Sequence, residues 1–447
     1  MQGWLLNVVY ALVCLFGSPV WIARMIRHGK YRRDWRQRLG RAPVRYGLQP
    51  LIWIHGVSVG EVNAARQLVA ELHSQMPDFR VAVSSTTDTG LAAAERLFAP
   101  DHSVFRFPLD FTFSVGAALK RLSPAMVILI EGDVWPNFVA ACRRRDVPVV
   151  VVNGRIGPRK GYPRYRLIRP LAGRLFNALT AIGVQHEAYA DLFRALGVQN
   201  DKLHATGMMK YDTAELGDSV PGAEQLASAV GIDKKTPLLV AGGTGPGEEQ
   251  VVLEAFRRVR GAVGGPVRLA VVPRKPERFE EVARLISAGG SELVRRSRHG
   301  DGGTLEPSEA VILGDTMGDL RKFYSLAACV FVGRSLVPMG GSDMIEAAAL
   351  ARPVCLGYYT FNFPQAETMV GAGCAKRVAD VDELTEVFKG WLEDPEAAAE
   401  MGRQALEFVR SQQGATRRNV EMIARILGRV PAIAPGGVAT DEIIEQV

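Results

Sequence analysis

Short apolar runs alternate with amphipathic stretches twice over, and this constrains the chain more than any other feature. The first set is Leu51–Val57, Arg80–Ser85, Ala125–Ile130, Val147–Val152, Ala181–Val184 and Lys202–Thr206. The second is Leu238–Ala241, Val267–Val272, Ala310–Leu313, Cys329–Val332 and Pro353–Leu356. Between the runs lie apolar residues at helical spacing, such as Ala64, Ala65, Leu68, Val69 and Leu72. Alternation of this kind builds right-handed βαβ units around a mostly parallel sheet. With 447 residues the chain is too long for one ordinary core. At 47% hydrophobic residues with mixed charges, it is globular rather than disordered. The expected fold class is therefore α/β, with two Rossmann-like, doubly wound domains facing a cleft and ligands held at strand carboxyl ends. The domains are expected at 31–217 and 234–395, separated by the polar, glycine-containing linker Asp218–Asp233. A closing helix or helix pair is expected at 396–427, and a loose tail rich in proline and glycine at 428–447.

Ahead of the first domain, Trp4 to Ile22 carries no charged residue. As a helix it would be roughly 28 Å long, enough to cross a hydrocarbon core. Arg24, Arg27, Lys30, Arg32, Arg33, Arg36 and Arg38 follow, opposed only by Asp34. Residues 1–30 thus read as a transmembrane anchor of the inner membrane, with everything after it on the cytoplasmic side and the basic flank on the anionic leaflet. A cleaved signal peptide fits less well, because there is no basic stretch before the apolar run and no small-residue cleavage site after it. A buried hairpin is the other alternative, since Pro19 would kink the segment.

The net charge of +7 suggests an anionic surface or ligand. No zinc-finger spacing, RNA-binding signature or basic repeat is present, so nucleic acid is not an expected partner. The five cysteines form no C-x-x-C pair and the seven histidines no H-E-x-x-H cluster, which predicts a reducing compartment and no metal site.

Several stretches can carry chemistry. HGVSVGE, His55–Glu61, ends the first strand and opens a helix, and a carboxylate at Glu61 can take the proton of an attacking sugar hydroxyl. Its alternative role is complementing the helix dipole. EGDVWPNF, Glu131–Phe138, follows the third strand, where its carboxylates and Trp-Pro-Asn suit a polar substrate or a plain helix start. NGRIGPRKGYPRYR, Asn153–Arg166, puts Arg155, Arg159, Lys160, Arg164 and Arg166 on one loop, either to hold phosphates or as a solvated face. AGGTGPGEE, Ala241–Glu249, only loosely resembles a phosphate loop, having no Walker lysine. VPRKPERF, Val272–Phe279, places Arg274 at a strand end. The most specific stretch is CVFVGRSLVPMGGSDMIEAAALARPVCLG, Cys329–Gly357. There Ser335 and the Gly340–Gly341 turn can offer donors to a phosphate, and Glu346 can accept from a ribose diol. Asp343-x-x-Glu346 also reads as a capping box.

Taken together and in order, these stretches resemble the Kdo (3-deoxy-D-manno-octulosonic acid) transferases of lipopolysaccharide synthesis, over roughly Trp4 to Phe408. The family's H-A-V-S-x-G-E stands here as HGVSVGE, its E-T-E-x-W-P-N as EGDVWPN, and its V-T-G-N-x-K-x-D as ATGMMKYD. V-P-R-H-P-E-R-F stands as VPRKPERF, D-T-M-G-E-L as DTMGDL, and F-V-G-G-S-L-V-P-x-G-G-H-N-x-x-E as FVGRSLVPMGGSDMIE, followed by TFNF. The resemblance implies a GT-B-type glycosyltransferase, metal-independent and inverting, with no cofactor. Its implied donor is CMP-Kdo and its implied acceptor the primary hydroxyl of a lipid A precursor. By resemblance Glu61 is the general base, with Ser58 and Gly60 beside it at the acceptor, and Glu131 is a second essential carboxylate. Arg155, Arg159 and Lys160 are candidates for the acceptor's phosphates. Arg274 and Met317 lie near the nucleotide, Ser335, Gly340, Gly341 and Asp343 at the phosphate, and Glu346 at the ribose.

The chain departs from the pattern at Arg334, Ser342 and Asp343, where the family has Gly, His and Asn, and at Met208 and Lys275. An aspartate beside a phosphate repels it, so Arg334 and Asp343 are expected to form a compensating pair. A different nucleotide sugar, or a membrane-anchored binding protein without catalysis, remain the alternative readings at this stage.

Overall fold

The computed structural model describes residues 3–28, 34–45, 47–157, 161–306 and 309–428, and within the first helix the side chains of 20–22, 24, 25 and 28 lie outside that description. Nearly all of the expected tail lies beyond it. The chain divides into two compact units, one running to Thr213 and resuming at Gln413, the other Ala214–Gln412.

The first unit is built on seven strands: β1 (Leu51–His55), β2 (Arg80–Ser85), β3 (Ser103–Arg106), β4 (Met126–Ile130), β5 (Val149–Gly154), β6 (Ala181–Val184) and β7 (Leu203–Ala205). Their order in the sheet is β3-β2-β1-β4-β5-β6-β7, and every pair is parallel. Helices cover both faces. Trp53 anchors one core with Phe105, Phe107 and Phe138, and its indole N–H donates to Ser84 Oγ at 2.8 Å. On the other face Ile52, Ile54, Val62 and Leu68 pack with Val420 and Ile423.

The second unit repeats the plan with β8 (Leu238–Thr244), β9 (Arg268–Pro273), β10 (Leu293–Arg295), β11 (Val311–Leu313), β12 (Cys329–Val332), β13 (Val354–Leu356) and β14 (Lys376–Arg377), in the order β10-β11-β9-β8-β12-β13-β14. All pairs are again parallel. The central strands β1, β4, β8 and β12 are buried end to end. That is why they stand out as unbroken apolar runs. Strands β3, β10 and β14 lie at sheet edges and are partly exposed, which hid them from the same test.

Three features differ from expectation. The stretch expected to be a linker carries a helix, Ala223–Ala229, whose Ala223, Leu226 and Ala229 are buried within the second unit. The two closing helices do not stay together: Pro395–Gln412 belongs to the second unit, whereas Ala415–Ile426 packs on the first. Asp212 fixes that return, its carboxylate accepting from the Gly414 and Thr416 N–H groups.

The third difference is at the N-terminus. One helix does form there, Gly3–His28, with Pro19 inside it. Yet among the described residues no helix is long and apolar enough to cross a membrane, which corrects the expected spanning anchor. The helix is tied along the first unit by its polar side. Asn7 Nδ2 donates to Thr112 Oγ1 at 2.6 Å, and Asn7 Oδ1 accepts from the Thr112 N–H and from Asn137 Nδ2. The Tyr10 hydroxyl donates to Asp110 at 3.0 Å. Leaving such partners for hydrocarbon would cost several kcal/mol per group. Trp4, Leu5, Val8, Val9, Leu12, Val13 and Phe16 are exposed on the same helix. After it, Asp34 adopts a left-handed backbone conformation and, with Asp88, holds the buried Arg106 guanidinium.

Candidate active site

In each sheet the strand order reverses beside its first strand, at β1/β4 and at β8/β12. Open parallel sheets bind ligands outside the strand carboxyl ends at such a point. Four of the candidate stretches lie there: His55–Glu61 after β1, Glu131–Phe138 after β4, Ala241–Glu249 at the end of β8, and the Gly340–Gly341 loop after β12.

Glu61 sits in the first turn of helix Val59–Gln75, where Ser58 is the N-cap. Val57 N–H donates to Glu61 Oε2 at 2.7 Å and the Ser58 hydroxyl to Oε1 at 2.8 Å, while Ser58 Oγ accepts from the Glu61 N–H at 3.4 Å. Ser58 thus caps the helix, and the Glu61 carboxylate reaches back one residue beyond the cap, to the Val57 N–H, in a variant of the capping box. Gly56 lets the turn close, because a Cβ there would stand 3.2 Å from Glu61 Cβ. Glu61 is only 8% exposed. Burial pushes its carboxyl up to about 7, the Val57 and Ser58 bonds oppose the rise, and the charges of Glu131 and Asp133 add to it. The cap and the candidate base are therefore one device: the hydrogen bonds fix the carboxyl, and burial makes it basic enough to accept a proton. The Ser58 hydroxyl is committed to Glu61.

Beneath this turn His55 is buried and stacks on Phe107 with ring centroids 3.9 Å apart. Burial pushes its pKa down to about 3, so it is a neutral, structural imidazole. Glu131 adopts a left-handed backbone conformation, φ 66°, and its carboxylate is held by Arg155 at 2.9 Å. Strain at a non-glycine residue marks a position whose geometry its surroundings enforce. The pairing sets the two glutamates apart: Glu131 is charge-balanced by Arg155, whereas among the described residues no cation acts on Glu61. Of the five cations expected on one loop, three are described. Arg155 is engaged with Glu131, Arg164 and Arg166 are exposed on helix Gly161–Leu167, and Arg159 and Lys160 lie outside the described residues.

Trp-Pro-Asn also takes a different part from the one expected. Asn137 is 2% exposed, and its side chain bonds Asp110 O and Asn7. Asp110 accepts the Asn137 and Phe138 N–H groups and so caps helix Pro136–Arg143 from another loop. The asparagine thus ties the N-terminal helix down and does not face a substrate.

In the second unit Arg274 and Met317 are exposed, and Arg274 follows β9. Asp343, Glu346 and Arg274 all act electrostatically on the buried Tyr324 hydroxyl, so the fold gathers them around one point. Gly340 and Gly341 have positive φ, and a Cβ on Gly340 would lie 2.0 Å from Asn362 Nδ2. Ser335 is fully buried, its hydroxyl donating to Val332 O and accepting the Gly357 N–H, so it shapes the turn from within. Asp343 Oδ1 accepts the Ile345 N–H at 3.1 Å, at the start of the four-residue helix Ile345–Ala348, whose N-cap is Met344. Among the described residues Arg334 is in no ion pair, so the expected pair with Asp343 is not formed; its Nη2 donates to Met339 O at 3.3 Å. Ser342 donates to Gly243 O at 2.8 Å. The departures at 334 and 342 thus find backbone partners, Met339 O within the loop and Gly243 O on β8.

Other shared stretches brace the unit. Arg278 of VPRKPERF pairs with the buried Glu249 and with Glu281, and Asp315 and Asp319 of DTMGDL hold Arg295 and Arg296. Among the described residues no group of three or more His, Cys, Asp or Glu is placed to hold a metal ion.

Two doubly wound parallel α/β units in one chain are the GT-B fold, which solved glycosyltransferases share. A glycosyltransferase from Rickettsia africae shares the fold at TM-score 0.59 and 13% identity, over 85% of this chain and 99% of that one. The sequence profile of the 3-deoxy-D-manno-octulosonic-acid transferases (kdotransferases) matches residues 33–213. The 3-deoxy-D-manno-octulosonic acid transferase of Bordetella pertussis is 32% identical over 94% of this chain and 99% of its own. That of Haemophilus influenzae is 30% identical over 85% and 87%. The chain belongs to the 3-deoxy-D-manno-octulosonic acid transferase family.

Proposed function

We propose that this protein moves Kdo from CMP-Kdo to the primary hydroxyl of a lipid A precursor, with inversion and without a metal. The observation that carries the reading is Glu61, a buried carboxyl held at about 7 at the end of a central strand. In the reaction the acceptor hydroxyl gives its proton to the Glu61 carboxylate as its oxygen bonds the anomeric carbon. The bond from that carbon to the phosphate oxygen breaks, and CMP leaves with the electron pair. The leaving group is a phosphate monoester dianion, whose charge amides of the Gly340–Gly341 turn can stabilise. Glu131 with Arg155 would steady the acceptor side, and Arg274, Met317, Asp343 and Glu346 would line the nucleotide side. Incubation of the purified protein with CMP-Kdo and a tetra-acylated lipid A precursor should release CMP and yield a lipid heavier by Kdo. CMP-Kdo left intact while another nucleotide sugar is consumed would overturn the donor assignment.

The reading includes a membrane address, the cytoplasmic leaflet of the inner membrane. The N-terminal helix has docked its polar side on the first unit and left its apolar side exposed, a pattern suited to lying in a membrane surface. Exposed Phe113, stacked on Phe111, extends that surface. Wild-type protein should float with anionic phospholipid vesicles. A variant with Leu12, Val13 and Phe16 all changed to serine should stay behind with an unchanged melting temperature. Equal flotation of the two would refute the helix as the contact.

A further inference from the structure

The loops after β8 and β12 flank the reversal point of the second sheet, where a parallel sheet offers backbone N–H groups to an anion. In this chain that nest is filled from within. Glu248 is fully buried. Its Oε1 accepts the Ser335 and Leu336 N–H groups at 2.8 and 2.9 Å. Its Oε2 accepts the Gly245 N–H at 2.8 Å and the Arg334 N–H. Four donors converge on two oxygens, as they would on a phosphate. The walls leave no room for a second anion. A Cβ on Gly333 would stand 2.6 Å from Thr244 Cα and 3.0 Å from Glu248 Oε2, and one on Gly245 would stand 2.7 Å from Met339 Sδ.

The carboxylate also reaches the donor turn through the backbone. It holds the N–H of Arg334, which has φ 57°, and the Arg334 carbonyl in turn accepts the Gly341 N–H at 2.7 Å. Glu248 therefore sets where Gly340–Gly341 stands.

We propose that Glu248 is a positioning and specificity residue. It occupies the phosphate nest between β8 and β12, leaves only the Gly340–Gly341 turn for the donor, and so restricts the site to sugars linked through one phosphate. A nucleoside diphosphate would need the nest that Glu248 fills. The inference rests on reading the second unit as a cytidine-nucleotide site.

Calorimetric titration of the full-length protein with CMP and with CDP tests it. Wild-type protein should bind CMP at least tenfold more tightly than CDP. Glu248→Gly, which frees the four N–H groups, should shift the ratio toward CDP by tenfold or more. Glu248→Gln, which keeps the volume but can satisfy only half of the donors, should shift it in the same direction by less. Equal wild-type affinities for CMP and CDP would overturn the proposal, whether or not the glycine variant folds. So would a wild-type ratio in either variant that retains a cooperative melting transition. A role confined to stability would lower the melting temperature and leave the ratio in place. Wild-type protein that binds neither nucleotide would refute the cytidine reading itself, a separate outcome from equal binding.

Discussion

Glu61→Gln should lower turnover by about 10²–10⁴-fold and leave CMP affinity unchanged, because general-base catalysis supplies about that much. Glutamine can keep both local bonds, accepting from the Val57 N–H and donating to Ser58 Oγ, so the helix start should survive. The same carboxyl predicts a pH profile. A base with a pKa of about 7 is protonated below that value. The rate should therefore fall about tenfold per pH unit below 7 and level off above it. Stability should run the other way. Burial raises the folded-state pKa above the ordinary value of 4.5, so the folded protein binds the extra proton between 4.5 and 7. The stabilising contribution of that proton is complete below 4.5 and is lost as pH rises through 7. The difference corresponds to on the order of 3 kcal/mol. At pH 8 the glutamine variant, which cannot ionise, should melt higher than wild type. Initial rates and melting curves from pH 5 to 9 check both signs. Unchanged turnover in the glutamine variant would remove Glu61 as the base.

Gly357→Ala should be the most damaging single-methyl addition near the donor turn. A Cβ at Gly357 would lie 2.1 Å from Ser335 O, 2.3 Å from Ser335 C and 2.5 Å from Leu336 N. All three are backbone atoms, so no rotamer change relieves the clash. Moving residues 335–336 away would pull their N–H groups off Glu248 and the Gly357 N–H off Ser335 Oγ. Overpacking costs about 1–3 kcal/mol, and each buried N–H left unpaired about 1–3 more. The variant should lose several degrees of melting temperature and at least tenfold in CMP affinity, with KM for the donor rising more than kcat falls. Wild-type donor affinity in the alanine variant would show that this loop does not hold the nucleotide. Cys355→Ser, two residues earlier at a fully buried position of β13, provides a control: it should lower stability with a smaller effect on KM.

Parts of this molecule were legible without its structure for a definable reason. A strand buried on both faces has to be apolar along its whole length, so β1, β4, β8 and β12 announce themselves locally. The residues just beyond them must then lie at strand carboxyl ends, which located Glu61, Glu131 and the Gly340–Gly341 turn. Edge strands such as β3 and β14 carry half-exposed residues and give no such signal. The return of helix Ala415–Ile426 to the first unit was hidden too, because an amphipathic face does not name its partner.

What each polar group does was decided only by tertiary structure. Serine 335 was expected to bind a phosphate, yet its N–H is held by Glu248, 87 residues away in sequence. By its sequence Trp-Pro-Asn suits a substrate or a helix start, and its Asn137 bonds Asn7, 130 residues away. The apolar N-terminal run could be recognised from composition, but its polar side docks on loops about Asp110 and Thr112. Glu61 shows the division within one side chain. Its place in the helix cap is a local matter of the five residues Val57 to Glu61 and is contained in their order. Its readiness to accept a proton near neutral pH comes from burial beside Glu131 and Asp133. Backbone periodicity is a short-range property of the chain; hydrogen-bond partners, desolvation and field come from segments that only folding brings together.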